Sequence, residues 1–298
     1  MEEFLQHIIN GISLGSIYGL VALGYTMVYG ILKLINFAHG DIFMLGAFSG
    51  FYLSRWLIDK PSYFSLFLIL ILSAAICAII GAIIERLAYR PLRHMPKLNL
   101  LITAIGISLF LENGGQLLFG ADPKPFPELI QREVLFSFGN IHISNYQVIV
   151  LGVSILLMTL LQFIIFKTKI GKAMQAVSYD HISSSLMGIN IDLIISFTFM
   201  LGSALAAAGG ILVGLSYPSI DPLMGLLFGL KAFVAAVLGG IGSIPGAIVG
   251  ALIMGLSEEI VVGYLSSTYR DALAFCFLIL ILLIRPTGLF GKTTSEKV

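Results

Sequence analysis

The chain contains 298 residues, of which 58% are hydrophobic and 11% are charged, and its formal net charge is +1. Soluble domains carry about 45–50% apolar and about 25% charged residues, so this composition excludes an ordinary soluble domain and predicts a protein embedded in lipid. The nearly neutral charge also argues against the kind of basic surface that binds nucleic acid.

Nine apolar segments are long enough to be membrane-spanning helices, which need about 20 mostly apolar residues. These segments are 8–29, 31–57, 63–84, 98–119, 146–166, 191–215, 223–239, 244–264 and 268–284. Polar residues interrupt the second segment, and the seventh is short and rich in glycine. The pattern predicts an all-α integral membrane protein, a polytopic bundle of about 8–10 transmembrane helices with a broken second helix. We expect a single domain over residues 1–298.

Lysine and arginine collect in three places: 85–97, 167–172, and the C-terminal residues Arg285, Lys292 and Lys297. Because such clusters mark the cytoplasmic side of a membrane protein, they predict an external N-terminus and a cytoplasmic C-terminus. Residues 120–145 then form an external loop and residues 167–190 a cytoplasmic one. Within the external loop, Gly139 and Asn140 separate two β-prone runs, which predicts a hairpin that caps the bundle or forms part of a docking face.

Asn36, His39, Gly40 and Asp41 interrupt the second apolar segment. Ionisable side chains at membrane depth usually face a bundle interior or a cavity, and Gly40 permits an unwound backbone there. These residues therefore indicate either a translocation pathway or gate, or a polar cluster that pins two helices together. A His39–Asp41 acid–base dyad in a membrane enzyme is disfavoured, because no nucleophile and no metal-ligand spacing accompanies it.

Lys231 lies within the seventh apolar segment, and Glu258 lies near the end of the eighth. If these two segments are antiparallel, the two side chains fall at similar depth, and we predict an intramembrane ion pair between them. The alternative is that Lys231 extends to the membrane interface. Small residues at four-residue spacing, such as Gly11, Gly15 and Gly19, predict close helix packing.

The sequence predicts no nucleotide site. The run Gly291-Lys292-Thr293 matches only the tail of a phosphate-binding loop, and Pro286 stands where the first glycine of that loop is needed. A strand should also precede the loop and a helix should follow it. We therefore expect no cofactor or metal on this chain, and any ATP to be hydrolysed by another subunit.

Four motifs, taken together, resemble the LivH-type permease of branched-chain amino acid ABC importers, and the resemblance covers nearly the whole chain. The motifs are INFAHGD at 35–41 with MLGA at 44–47, GLKAF at 229–233, VLGGIGSIPGA at 237–247 and RPTGLFG at 285–291.

The resemblance implies that a short coupling helix in the 167–190 loop rests in a cleft of an ATPase subunit. The residues assigned to this coupling loop are Gly171, Lys172, Ala173, Gln175, Ala176, Asp180 and Gly188, of which Gly171, Lys172, Ala173, Asp180 and Gly188 match the family pattern. The chain departs from the family pattern at Ser183 and Ser184, where a pair of alanines is usual, and at Gln175, where a basic residue is common.

The resemblance also implies the partners: a second related permease, two ATP-binding cassette ATPases and an external substrate-binding protein that delivers leucine, isoleucine or valine. The location it implies is the plasma (cytoplasmic) membrane of a prokaryote, in contact with lipid. Two alternatives stay open. One is a related permease for urea or short amides, and the other is an ion-coupled secondary carrier. The break at 35–41 fits a carrier as well, but few acidic residues lie in the apolar segments.

Overall fold

The computed structural model describes residues 2–58, 60–139 and 141–291. Its α-helices are α1 Glu2–Leu32, α2 His39–Leu57, α3 Tyr63–Ile84, α4 Arg90–Leu92, α5 Lys97–Phe119, α6 Asn145–Lys167, α7 Lys169–Tyr179, α8 His181–Leu186, α9 Ile191–Ser216, α10 Met224–Gly239, α11 Ile244–Tyr264 and α12 Arg270–Ile284. A π turn, Glu85–Tyr89, joins α3 to α4, and a 3-10 turn, Ser267–Tyr269, precedes α12.

Two short antiparallel strand pairs lie outside the helices. Strands β2 (Val134–Phe138) and β3 (Ile141–Ser144) pair with each other, which confirms the predicted hairpin, although its turn residue Asn140 lies outside the described residues. Strand β1 (Lys124–Pro125) pairs with β4 (Ser219–Ile220) and so ties the long 120–145 loop to the end of α9.

Each of the nine predicted apolar segments corresponds to a helix. Seven helical stretches of the described chain are long and apolar enough to cross a membrane: Glu2–Leu32, Tyr63–Leu92, Lys97–Phe119, Asn145–Lys167, Ile191–Ser216, Ile244–Tyr264 and Ser267–Ile284. The predicted start of the second segment at residue 31 is wrong, because the apolar run through Val28 and Ile31 keeps α1 helical to Leu32. The break is a turn between α1 and α2, and Lys33 begins it with φ 53°.

The bundle has two ends, which we call the hairpin end and the loop end. At the hairpin end, the backbone N–H of His142 in β3 donates to Gln6 Oε1 near the start of α1, at 2.9 Å. At the loop end, the ring of His181 in the 167–190 loop lies 3.1 Å from the carbonyl oxygen of Ile31. The basic residues Arg90 and Arg93 pair with Asp192 at this same end. Lys292 and Lys297, the other members of the predicted C-terminal cluster, lie outside the described residues.

Helix α1 is the centre of the bundle and α12 lies at its edge: 78% of the most apolar window of α1 is buried, against 11% for the stretch that contains α12. Glycines bring α1 and α11 together. A methyl group on Gly15 would lie 2.9 Å from the carbonyl oxygen of Ala251, and one on Gly11 would lie 2.8 Å from Cα of Leu256. Only glycine allows this approach, so the predicted close packing is confirmed at this crossing.

Candidate functional site

The turn between α1 and α2 carries the first group of predicted site residues. Asn36 is 2% exposed, and its Oδ1 accepts a 2.7 Å hydrogen bond from the hydroxyl of Tyr89 in the π turn. The backbone carbonyl of Asn36 also accepts from the N–H of His39 at 3.1 Å, which closes the turn as α2 begins. The turn is therefore attached to the loop end of α3 through one buried side-chain contact.

His39 and Asp41 are both buried, but they contact different helices. The His39 ring nitrogen Nε2 lies 3.2 Å from the carbonyl oxygen of Val21, and the ring packs edge-on against Tyr25 at 4.7 Å between centroids. Asp41 Oδ2 instead accepts a 2.6 Å hydrogen bond from Ser108 of α5. No hydrogen bond or ion pair joins these two described residues, so the acid–base dyad considered for a membrane enzyme is not assembled.

Gly40 lies where the start of α2 crosses the first turns of α10. A methyl group on Gly40 would lie 2.4 Å from the carbonyl oxygen of Gly225, and one on Gly229 would lie 2.7 Å from Cα of Gly40. Both distances are far below van der Waals contact, so the two backbones touch with no side chain between them. The break is therefore followed at once by a tight crossing of α2 and α10.

The structure brings Lys231 and Glu258 together. Lys231 Nζ lies 3.0 Å from Glu258 Oε1, and both side chains are almost fully buried. Charges buried in this way need partners, because leaving water is costly. The hydroxyl of Tyr18 in α1 is a further partner of Glu258, because it donates a 2.8 Å hydrogen bond to Oε2.

The ion pair is part of a larger charge cluster that the sequence reading missed. Lys231 also lies 2.7 Å from Asp271, and Arg270 Nε lies 2.9 Å from Glu258 Oε1. A second nitrogen of Arg270 donates to Glu259 at 3.2 Å. Arg270 and Asp271 are adjacent at the start of the last apolar segment. This charged pair was the sequence feature from which the cluster could have been predicted. The cluster joins α1, α10, α11 and α12.

Helix α7 of the predicted coupling loop packs against the bundle. Gly171, Met174 and Val177 are its buried residues, and a methyl group on Gly171 would lie 2.1 Å from the carbonyl oxygen of Ile164. The side-chain amide of Gln175 donates to the carbonyl oxygen of Ile165 at 2.8 Å. Gly171 and Gln175 therefore seat α7 on α6. Ala173 and Ala176 are half-buried, and Lys172 is exposed.

Asp180 and Gly188 define the two ends of the short helix α8. Asp180 caps the start, because its Oδ1 accepts from the N–H of Ile182 at 2.8 Å and its other oxygen accepts from the hydroxyl of Ser183. The Ser183 hydrogen bond, with the Ile182 N–H, holds the pKa of the Asp180 carboxyl below its usual range. Gly188 ends the helix with φ 82°, and the N–H of Ile189 returns to Ser184 O at 3.1 Å, as in a Schellman motif.

Four large side chains project from this loop and were not among the predicted coupling residues. Tyr179 is 90% exposed, Ile182 74%, Leu186 83% and Met187 85%. They form what we call the α8 patch. Apolar side chains so exposed on a polar segment are typical of a protein–protein contact. Their spacing in the sequence does not identify them as a protein contact, because the same residue types occur elsewhere in the chain on helices that face lipid.

Residues 7–283 match the protein family described as branched-chain amino acid transport system / permease component. The chain belongs to this family. LivH of Salmonella typhimurium, a high-affinity branched-chain amino acid transport system permease protein, is 43% identical, covering 99% of this chain and 98% of the relative. BraD of Pseudomonas aeruginosa, whose name gives the same transport system, is 42% identical with the same coverage.

A solved structure shows the same fold at low identity. PsaBC from Streptococcus pneumoniae in complex with Fab aligns with a TM-score of 0.50 and 15% identity, over 96% of this chain and 93% of that chain. The family and the apolar helices together make the chain a multi-pass membrane permease for branched-chain amino acid transport. The described residues of this permease hold no group of three or more His, Cys, Asp or Glu that could bind a metal ion.

Proposed function

We propose that this permease is the membrane subunit of an ABC importer for leucine, isoleucine and valine. It forms the translocation pathway with a second, related permease, and it is driven by ATP hydrolysis on two partner ATPases. An external substrate-binding protein delivers the amino acid. The observation that carries this proposal is the family match over residues 7–283, together with relatives at 42–43% identity that are named as permeases of the high-affinity system.

In this proposal the loop end is cytoplasmic and the hairpin end is external. Arg90 and Arg93 lie at the loop end, and the three lysines of 167–172 lie in the loop that gives this end its name. Lysine and arginine near the ends of membrane helices collect on the cytoplasmic side. The hairpin and the 120–145 loop then face the substrate-binding protein.

The α8 patch is the proposed ATPase contact. Ile182, Leu186 and Met187 present apolar area, and Asp180 and Gly188 fix the helix that carries them. Helix α7, which precedes α8 in the chain, packs closely against α6 at Gly171. A partner that binds the patch would therefore transmit force to the bundle rather than to a free loop.

One contact leads from this segment to the region that we propose as the gate. The gate comprises the turn with Asn36 and the start of α2 with His39, Gly40 and Asp41. His181, the first residue of α8, lies 3.1 Å from the carbonyl oxygen of Ile31, at the end of α1 just before the turn. On the other side, the Tyr89 hydroxyl holds Asn36. Displacement of α8 by an ATPase would thus act directly on the backbone that leads into the turn.

The test is purification of the tagged permease from its native membrane in mild detergent, with the co-purifying chains identified by mass spectrometry. We expect two ATPase chains and a second permease. Reconstituted with these partners and the binding protein, the complex should take up leucine only with ATP. A permease that purifies alone and moves solute on an ion gradient without ATP would overturn the proposal and favour a secondary carrier.

The variant Leu186→Glu examines the α8 patch within the same preparation. A buried carboxylate at an apolar contact is costly, so we expect the ATPases to be lost or reduced at least about tenfold in the purified complex. The matched control is Leu265→Glu, because Leu265 is 73% exposed and lies beyond α11 at the opposite end of the bundle. Equal ATPase recovery in both variants would exclude the α8 patch as the contact.

A further inference from the structure

A groove of about 430 Å³ opens at the loop end between the π turn after α3 and the start of α9. It is separate from the turn at 33–38, from the charge cluster and from the α8 patch. Its lining residues are Arg86, Arg90, Asn190, Asp192, Leu193, Ser196, Phe197 and Met200.

The polar part of the groove carries an excess of positive charge. Arg90 and Arg93 both pair with Asp192, so one carboxylate serves two guanidinium groups. Arg86 is exposed in the groove and has no ion-pair partner among the described residues. Glu85, the remaining carboxylate nearby, is fully buried and accepts from the Ser196 hydroxyl. The groove therefore offers guanidinium donors that the chain does not satisfy.

The rest of the groove is apolar and follows α9 toward the middle of the bundle. Leu193 is 57% exposed, and Phe197 and Met200, one and two turns further along, are half-buried. A single surface thus joins cationic donors at one end to an apolar wall at the other.

The position of the groove along the helix matches the edge of a bilayer. The apolar stretch Tyr63–Leu92 has 30 residues, which at 1.5 Å per residue is about 45 Å. The hydrocarbon core of a bilayer is about 30 Å thick. The last turns of this stretch, which carry Arg86 and Arg90, therefore reach the depth of the lipid headgroups, while Phe197 and Met200 remain beside the acyl chains.

We propose that this groove binds an anionic phospholipid. The headgroup phosphate is held by Arg86 and Arg90, and one acyl chain lies along Leu193, Phe197 and Met200. Guanidinium groups form strong, often paired hydrogen bonds to phosphate oxygens. Basic pockets between transmembrane helices on the cytoplasmic side are suited to such headgroups.

The experiment measures lipid retained by the purified full-length permease. Detergent-solubilised protein is incubated with phosphatidylglycerol or with phosphatidylcholine of the same acyl chains, and bound lipid is counted by native mass spectrometry. We expect retention of phosphatidylglycerol over phosphatidylcholine. Arg86→Gln should lower it about fivefold, while Arg86→Lys, which keeps the charge but loses the paired donors, should lower it less. The matched control is Lys97→Gln, an exposed cation at the same end but outside the groove.

Three results would contradict the proposed lipid site. Equal lipid retention by Arg86→Gln and Lys97→Gln would mean a general surface charge effect. Equal retention of the two lipids by the unmodified permease would mean that the groove does not select a negative headgroup. Displacement of the lipid by millimolar inorganic phosphate would mean that only the phosphate is recognised. A second variant, Leu193→Glu, keeps Arg86 and should also lower retention, because it places a negative charge on the proposed acyl-chain wall.

Discussion

The sharpest prediction concerns Glu258. Its carboxylate accepts hydrogen bonds from Lys231 Nζ at 3.0 Å and from the Tyr18 hydroxyl at 2.8 Å, and it forms an ion pair with Arg270, whose Nε lies 2.9 Å away. Glu258→Gln keeps the size of the side chain and removes its charge. Removing one partner of a buried ion pair costs about 3–5 kcal/mol. Because Lys231 retains Asp271 at 2.7 Å, we expect the lower value, about 3 kcal/mol. For a chain of this size that corresponds to a fall of about 6 °C in Tm.

The assay is thermal unfolding of the purified permease in detergent, with Glu128→Gln as the control because Glu128 is exposed and outside the cluster. The control should change stability by less than about 0.5 kcal/mol. Adding Lys231→Met to the unmodified permease and to the Glu258→Gln variant gives a double-mutant cycle. The effects of Lys231→Met and Glu258→Gln on the free energy of unfolding should be coupled by about 1–3 kcal/mol. If Glu258→Gln unfolds within about 1 °C of its control, the cluster does not stabilise the bundle and the reasoning is refuted.

Two further changes separate assembly from coupling. Gly40→Ala should abolish correctly folded permease, because the new methyl would lie 2.4 Å from the carbonyl oxygen of Gly225. The control Gly106→Ala should be recovered at normal yield, because no atom lies within 4 Å of the methyl that it adds. Size-exclusion profiles of the two variants check both expectations. Tyr89→Phe should leave the folded yield unchanged but lower leucine uptake per ATP hydrolysed several-fold, because it removes the Tyr89 hydroxyl's hydrogen bond to the Asn36 side chain. Uptake and ATPase rates are measured on the same liposomes, and a constant ratio between them would contradict this prediction.

The helices of this permease were largely predictable from sequence, and the reason is local. A membrane helix satisfies its own backbone groups within one segment, so an apolar run of sufficient length defines it. The exception was the start of the second segment. Residues 31–41 contain both the last turn of α1 and the first turn of α2, and no local signal shows that the chain turns at Lys33. The polar residues that follow mark the turn but do not fix its edges.

Side-chain contacts were predictable only where depth along two neighbouring helices decided them. Lys231 and Glu258 meet because α10 and α11 are antiparallel neighbours. Tyr18 lies 240 residues from Glu258, and its contact depends on how α1 crosses α11, which apolar periodicity does not encode. The predicted coupling loop shows the same limit. Gly171 matches the family pattern and Gln175 departs from it, yet both contact α6, and the most exposed large apolar side chains of the loop belong to the α8 patch.

The contacts on the two sides of the 33–38 turn differ in strength, and that difference suggests how the turn would move. The contacts from His181 to Ile31 and from Tyr89 to Asn36 are single hydrogen bonds, each worth about 1 kcal/mol and easily remade. The Gly40 crossing with α10 has no room even for a methyl group, so it resists sliding. Only contacts that differ between two states can drive a conformational change. We therefore expect the turn to rearrange at Asn36 while the start of α2 stays fixed, so that uptake is sensitive to Tyr89 and folding is sensitive to Gly40. The opposite pattern, lost folding in Tyr89→Phe and normal folding in Gly40→Ala, would place the moving contact at the glycine crossing instead.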